Sequence, residues 1–461
     1  MALFLSICLL TYNSISCFCS PIEDTIQSNE IPNWPAGPEI GAKAAILIEA
    51  NTGVILYAKN IHEHMYPAST TKMITALLAA ENSSMDEMVN FSYDAVFSLE
   101  PGSSNIGIDP GQAMNMEECL YGLMVASANE VANAIAEHVG GDMDSFVEMM
   151  NKKVESLGLK DTHFTNANGL FNQEHYTSAY DLAIIAQEFF NNEYLAKIGN
   201  TASYHFKATS TQPDDFYVRN KHKLISGEVS YVGIKGGKTG YTSEAGETLV
   251  TCAEQDGLNL ICVVLNEESP EQFYDTVKLF DYGYSNFDRI NVSENENRYS
   301  ITSDYFFPTT VDVIGNSKQI LELDKNNFVI KPKNINFDQM ETELVYNERP
   351  DKEMAYINYS YHGAYLGFGK LIAVENNPEL SAFGIENVIE QQTEEQSDVI
   401  EDKPVFINIL VIIQFIIFIS LILCVFTFIH AIIVNYNLLD NYKRKRGMRP
   451  KRRREKNKLK F

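Results

Sequence analysis

Residues 405–434 contain no Lys, Arg, Asp or Glu, with mild polar interruptions such as Asn408, Gln414, Thr427 and His430. A helix that crosses a bilayer needs about 20 such residues, and buried helices of globular cores seldom stay uncharged for so long. The run therefore predicts a C-terminal transmembrane helix, and this fixes much of the remaining layout. Residues 441–461 hold twelve Lys or Arg and one acid, Glu455, with Lys443, Arg444, Lys445, Arg446 and Arg449 just past the run. Basic residues collect on the cytoplasmic side of a span. The tail is thus expected in the cytoplasm, against anionic membrane lipid, and the chain before the run outside. At the other end, residues 1–20 read as a signal-peptide-like segment: a short apolar stretch and then small residues. No Lys or Arg precedes that stretch, which departs from the usual pattern.

The formal charge of −25 conceals this asymmetry, because everything before the basic tail carries 24 basic against 60 acidic side chains, about −36. Nucleic-acid proteins spread basic residues over a folded surface, so no nucleic-acid partner is expected. Cys119, Cys252 and Cys262 are the cysteines outside the signal-like and membrane segments. They form no disulfide framework and no paired metal spacing, and read as apolar filler, with a Cys252–Cys262 bridge across one hairpin the lesser alternative. His62 and His64 form the one close histidine pair and lack partners at zinc spacing. They read as surface residues, and no metal or cofactor is expected.

Apolar, β-favouring runs at 44–50 and 54–58 flank Asn51-Thr52-Gly53 and predict a hairpin. A helix is expected from near Ser69, with Met73, Ile74, Leu77 and Leu78 on one face. Another spans about 116–140 with a break near Ser127, and a third spans 177–190 with Ser178 as its cap. Strands are expected at 232–238, 247–253 and 259–265, the last two joined at Asp256-Gly257, followed by an amphipathic helix over 270–284. Strands at both ends with helices between them predict an α+β arrangement, one antiparallel sheet covered by helices. Residues 288–375 alternate in short stretches and suggest a small all-β domain. Residues 376–403, rich in Glu, Gln, Ser and Asp, read as an acidic solvated spacer.

Three short motifs occur in order: Ser69-Thr70-Thr71-Lys72, Ser127-Ala128-Asn129 and Lys238-Thr239-Gly240. Ser and Lys at i and i+3 share a helix face. A serine hydroxyl needs a base to become a nucleophile, and a lysine whose pKa is lowered by burial and neighbouring cations can serve. At a helix start, Ser69 also meets backbone N–H groups that favour developing negative charge. The second motif offers a hydroxyl for proton relay and an amide to hold a peptide group. The third places a cation, a hydroxyl and a glycine on a strand edge, where the glycine would let an extended substrate lie close. Taken singly, each is weak: a helix cap, a helix break, a turn. Together they fall in the expected contexts of helix start, interhelix loop and strand.

Over roughly 35–287 the chain resembles the D-alanyl-D-alanine carboxypeptidase family of low-molecular-mass penicillin-binding proteins, for which this motif triple is a signature. The segments Glu100-Pro101-Gly102-Ser103-Ser104, 164–170 and 176–183, and Arg219-Asn220, resemble further parts of that family. The resemblance implies a β-lactamase/transpeptidase-like fold followed by the small β domain and membrane attachment. It implies Ser69, Lys72 and Ser127 as catalytic residues, with Ser69 acylated by a peptidoglycan stem peptide and β-lactam antibiotics acting as covalent inhibitors. Asn129, Lys238, Thr239, Gly240 and Tyr241 would bind substrate, with backbone N–H groups of Ser69 and Tyr241 forming the oxyanion hole. Two departures stand out: Tyr241 follows Lys-Thr-Gly where many relatives have His, and Gln272 stands where an Arg is often found. A β-lactamase would need a deacylating Glu-x-x-Leu-Asn motif, and none lies between the second and third motifs. A non-catalytic wall-binding scaffold with the same fold is the alternative from another class.

Overall fold

The computed structural model describes residues 26–297, 321–346 and 353–373. The signal-like segment, the spacer, the 405–434 run and the basic tail lie outside the described residues. Among the described residues no helix is long and apolar enough to cross a membrane.

A five-stranded antiparallel sheet organises the chain. Its spatial order is Ile55–Lys59, Ala44–Glu49, Leu258–Glu267, Gly246–Gln255, Ile234–Thr242. The N-terminal hairpin thus pairs with the C-terminal strands, as the sequence pattern predicts. Its turn is tied by the Glu49 carboxylate, which accepts hydrogen bonds from the Asn51 and Thr52 backbone N–H groups and from the Thr52 hydroxyl. At the other hairpin, Asp256 (φ 48°) and Gly257 (φ 79°) both take the left-handed conformation of a tight two-residue turn.

The sheet separates two apolar cores, and the alternation of strand residues shows it. Ala44, Ile46, Ile48, Val250, Cys252, Ile261, Val263 and Leu265 face one core. Ala45, Leu47, Leu249, Ala253, Leu260, Cys262 and Val264 face the other. Strands buried on both faces read as continuous apolar runs, which is why Ala44–Glu49 carries no polar face. The first core is roofed by the helices Lys72–Asn82, Asn129–Gly140, Met143–Ser156 and Ala179–Asn191. The second is covered by Glu271–Asn286, through Phe273, Leu279, Phe280 and Tyr282, and continues into a six-stranded antiparallel sheet within 287–373. That sheet lies where the short alternating stretches suggest strands, with a short helix, Val292–Asn295, and a 3-10 turn, Phe337–Gln339, among its connections.

The double burial also settles the cysteines. Cys252 pairs in register with Ile261 and Cys262 with Thr251, so the two thiols sit on opposite faces of the sheet. All three cysteines are free and buried, so the Cys252–Cys262 bridge does not form.

Local signals account for the helix ends. Ser178 caps Ala179–Asn191 by accepting the Asp181 N–H. Asp142 does the same for Met143–Ser156 through Ser145, a helix that the sequence pattern did not single out. The expected break near Ser127 is a π turn over Gly122–Ala126 that ends on Ser127 in the left-handed conformation, φ 61° and ψ 33°. The Ile234–Thr242 strand runs four residues past Lys238, so all of Lys-Thr-Gly and Tyr241 lie on its edge.

Candidate active site

Ser69 sits in a 3-10 turn, Ala68–Thr71, that leads straight into the Lys72–Asn82 helix. The turn is held from two sides by glycines. A Cβ on Gly169 (φ 84°) would lie 1.9 Å from the Ala68 carbonyl oxygen, and one on Gly240 would lie 2.7 Å from the Ser69 nitrogen and 2.4 Å from the Thr248 hydroxyl. Gly240 is therefore glycine so that its strand can close on the nucleophile turn. The sequence pattern pointed instead to room for substrate; the space the missing side chain leaves is on the turn side.

Lys72 is fully buried, and its ammonium nitrogen has three oxygen partners: Ser69 Oγ at 3.1 Å, Asn129 Oδ1 at 2.6 Å and the Asn168 carbonyl at 2.5 Å. Burial pushes its pKa far below the ordinary lysine value, and the Lys238 and Lys221 charges push the same way against the opposing Glu130 carboxylate. A neutral amine has two N–H groups and one lone pair. The two carbonyl-type oxygens can only accept, so they take both N–H groups. The lone pair is then left facing the Ser69 hydroxyl, the arrangement a general base needs.

On the opposite wall Lys238, also buried, donates to Ser127 Oγ at 3.0 Å and to the Thr239 carbonyl at 2.8 Å. Burial, with Lys221 second, lowers its pKa to about 7, so near neutral pH it can both give and take a proton. The left-handed Ser127 aims its hydroxyl at this amine. Asn129 uses its oxygen on Lys72, which leaves its amide N–H groups for a substrate carbonyl.

Ser69, Ser127, Asn129, Thr239, Gly240 and Tyr241 line one open cleft of about 430 Å³, with Lys72 and Lys238 hydrogen-bonded to Ser69 and Ser127. All eight residues singled out in the sequence are thus brought together. The Tyr241 side chain is 66% exposed. Gln272 lies on the same cleft, 2% exposed, with its Oε1 buried and without a partner.

Supporting residues that the sequence reading assigned no role complete the site. Asn168 supplies the carbonyl for Lys72, and its side chain is pinned by Asn133 Oδ1 and the Leu170 N–H. Glu130, next to Asn129, accepts from the Ile106 and Gly107 N–H groups and so holds the loop that forms one lip. That lip is tied to the facing wall where Lys221 donates to Ser104 Oγ at 2.9 Å. His175 accepts the Thr165 N–H at Nδ1, so its Nε2–H donates to Thr71 Oγ1, and burial lowers its pKa to about 3. A neutral imidazole thus braces the nucleophile turn. Asn168 belongs to the 164–170 segment noticed in the sequence; nothing in its spacing there marks a carbonyl aimed at Lys72.

His62 and His64 are exposed, and both approach Asp161, at 2.8 and 3.8 Å. Among the described residues no three His, Cys, Asp or Glu side chains are grouped as a metal site would require.

The family model for D-alanyl-D-alanine carboxypeptidase, peptidase S11, matches residues 31–269. D-alanyl-D-alanine carboxypeptidase DacF of Bacillus subtilis is 38% identical over 54% of this chain, which spans 63% of that relative's length. DacD of Escherichia coli is 31% identical over 60% of this chain and 72% of its own. Penicillin binding protein 5 from Haemophilus influenzae superposes with a TM-score of 0.59 at 25% identity, covering 74% of this chain and 98% of that one. With its α+β penicillin-binding fold and this site, the chain belongs to the D-alanyl-D-alanine carboxypeptidase family.

Proposed function

We propose that this protein is a serine D-alanyl-D-alanine carboxypeptidase that removes the terminal D-alanine from peptidoglycan stem peptides and is inhibited by β-lactams. The observation that carries this reading is the hydrogen-bond set of Lys72, which leaves its lone pair to Ser69. In the first step Ser69 Oγ forms a bond to the carbonyl carbon of the penultimate D-alanine while its proton passes to Lys72. Backbone N–H groups of Ser69 and Tyr241 receive the oxyanion. As the C–N bond breaks, the leaving nitrogen takes a proton through Ser127 from Lys238. The proton that Lys72 took from Ser69 then passes to Lys238, which the leaving group left neutral, so both amines are reset. Water adds to the ester carbon and gives its proton to Lys72, and that proton passes to Ser69 Oγ as the ester C–O bond breaks. Asn129 orients the substrate amide, and Thr239 contacts the terminal carboxylate.

Residues 35–287 carry the chemistry in this reading, 288–375 form the β domain and 376–403 the spacer. The uncharged run at 405–434 and the twelve basic residues behind it support a single C-terminal span. The catalytic part is then outside the membrane, after an N-terminal signal, and the tail lies against lipid in the cytoplasm.

Incubation with penicillin followed by intact-mass measurement tests the reading. The expected result is one covalent adduct that Ser69→Ala abolishes, together with D-alanine release from a pentapeptide. Absence of both in the parent protein leaves only a non-catalytic wall-binding role.

A further inference from the structure

Beyond the motif residues, the cleft carries a second group of polar side chains at its far end: Lys221, Lys223, Glu247, Ser269 and Gln272. These are not equivalent. Lys221 is spent on the Ser104 hydroxyl. Glu247, the one acid on the cleft lining, is held by the Ser269 hydroxyl, and burial raises its pKa against the pull of Lys223. Lys223 stands on a short helix, Lys223–Ser226, with its ammonium 5.6 Å from the centre of the Phe273 ring. Among the described residues it makes no side-chain hydrogen bond and no ion pair. An aromatic face positions a cation without neutralising it. Beside it on the cleft stands the Gln272 amide, whose nitrogen carries two N–H donors that an anion can accept.

We propose that Lys223 is the cation that receives the free C-terminal carboxylate of the substrate, with a Gln272 amide N–H donating beside it, so that Lys223 sets the preference for substrates ending in a free acid. This rests on the carboxypeptidase reading. Three facts support it: the ammonium is positioned but unpaired, the remaining cleft lysines are already engaged, and the site opens on the Thr239 edge. In a chain whose overall charge is −25, a cleft lined by two lysines against one acid is a local reversal of sign. Such a reversal favours an anionic ligand.

The test compares two substrates of the full chain: a peptide ending in D-alanyl-D-alanine and the same peptide with its C-terminus amidated. The readout is the ratio of their kcat/KM values. Because one preparation reads both, the fraction of properly folded enzyme cancels from that ratio. Lys223→Met is expected to cut the ratio by about 30-fold, the scale of losing one charge-assisted contact to a carboxylate. Lys223→Arg, which keeps the charge, should hold it within about threefold. A Lys223→Met ratio within twofold of the parent's (about the scatter expected of a contact that contributes nothing) overturns the proposal while D-alanine release persists. If the parent cleaves neither peptide, releasing neither D-alanine nor D-alanine amide, the carboxypeptidase reading falls and this proposal falls with it.

Discussion

At one end of the cleft the lysines are already bonded to protein oxygens; at the other, Lys223 is not. Lys72 and Lys238 are buried and bonded to two or three oxygens each. Lys223, on the same cleft, has an ammonium with no side-chain hydrogen bond or ion pair among the described residues. The difference follows from what each end does. Groups that move protons must already stand in place before substrate arrives, because reorganising them during the reaction would add to the barrier. Groups that recognise a ligand keep their hydrogen-bonding capacity for it.

The largest expected effect breaks the satisfied end. Lys72→Met removes the base and leaves the Asn129 and Asn168 oxygens without their donor; penicillin acylation should fall by about 10³- to 10⁴-fold in stopped-flow measurements. A loss under tenfold would mean that another group deprotonates Ser69. A second test concerns pH. Acylation needs Lys72 neutral, so its rate constant should fall as pH drops through the Lys72 pKa. The Lys238 charge helps to hold that pKa down. Removing it with Lys238→Met should therefore move the acid limb to higher pH, besides lowering the plateau. An acid limb that stays put or moves down would break the proposed coupling between the two amines. The smallest effect belongs to Tyr241. Its side chain is exposed and its proposed role is a backbone N–H, so Tyr241→Ala should change acylation by less than about threefold, within the range of surface substitutions. A larger loss would place side-chain recognition at this position and blur the contrast between the two ends.

Much of this site was legible in the sequence, for a local reason. Ser69 and Lys72, Ser127 and Asn129, and the run from Lys238 to Tyr241 are each brought together by one turn or one strand, so spacing alone describes them. The hairpins and the helix over 179–191 were legible for the same reason, each having its own turn or cap. What was not legible depends on contacts between distant residues. Asn168 reaches Lys72 across 96 positions, and Glu130 holds a loop more than 20 residues earlier. Lys223 and Gln272 belong to separate helices that meet only because the sheet between them is folded. The Met143–Ser156 helix was overlooked because its buried face is thin: Phe146, Met150 and Val154 are its only buried residues. Gly240 shows a subtler gap. Its identity is visible in the motif, but which neighbour requires it can be seen only once the nucleophile turn lies against the strand.

The three-oxygen cage around Lys72 also has a thermodynamic consequence. A free lysine side chain samples many rotamers, and fixing it costs about 2 kcal/mol of conformational entropy. Here that ordering is completed when the chain folds, since Asn129 and Asn168 hold the amine whether or not a peptide is bound. No catalytic cycle has to repeat it. A variant that loosened the cage without removing the amine would therefore keep its base and still turn over more slowly, because each encounter would begin with a search for the right rotamer.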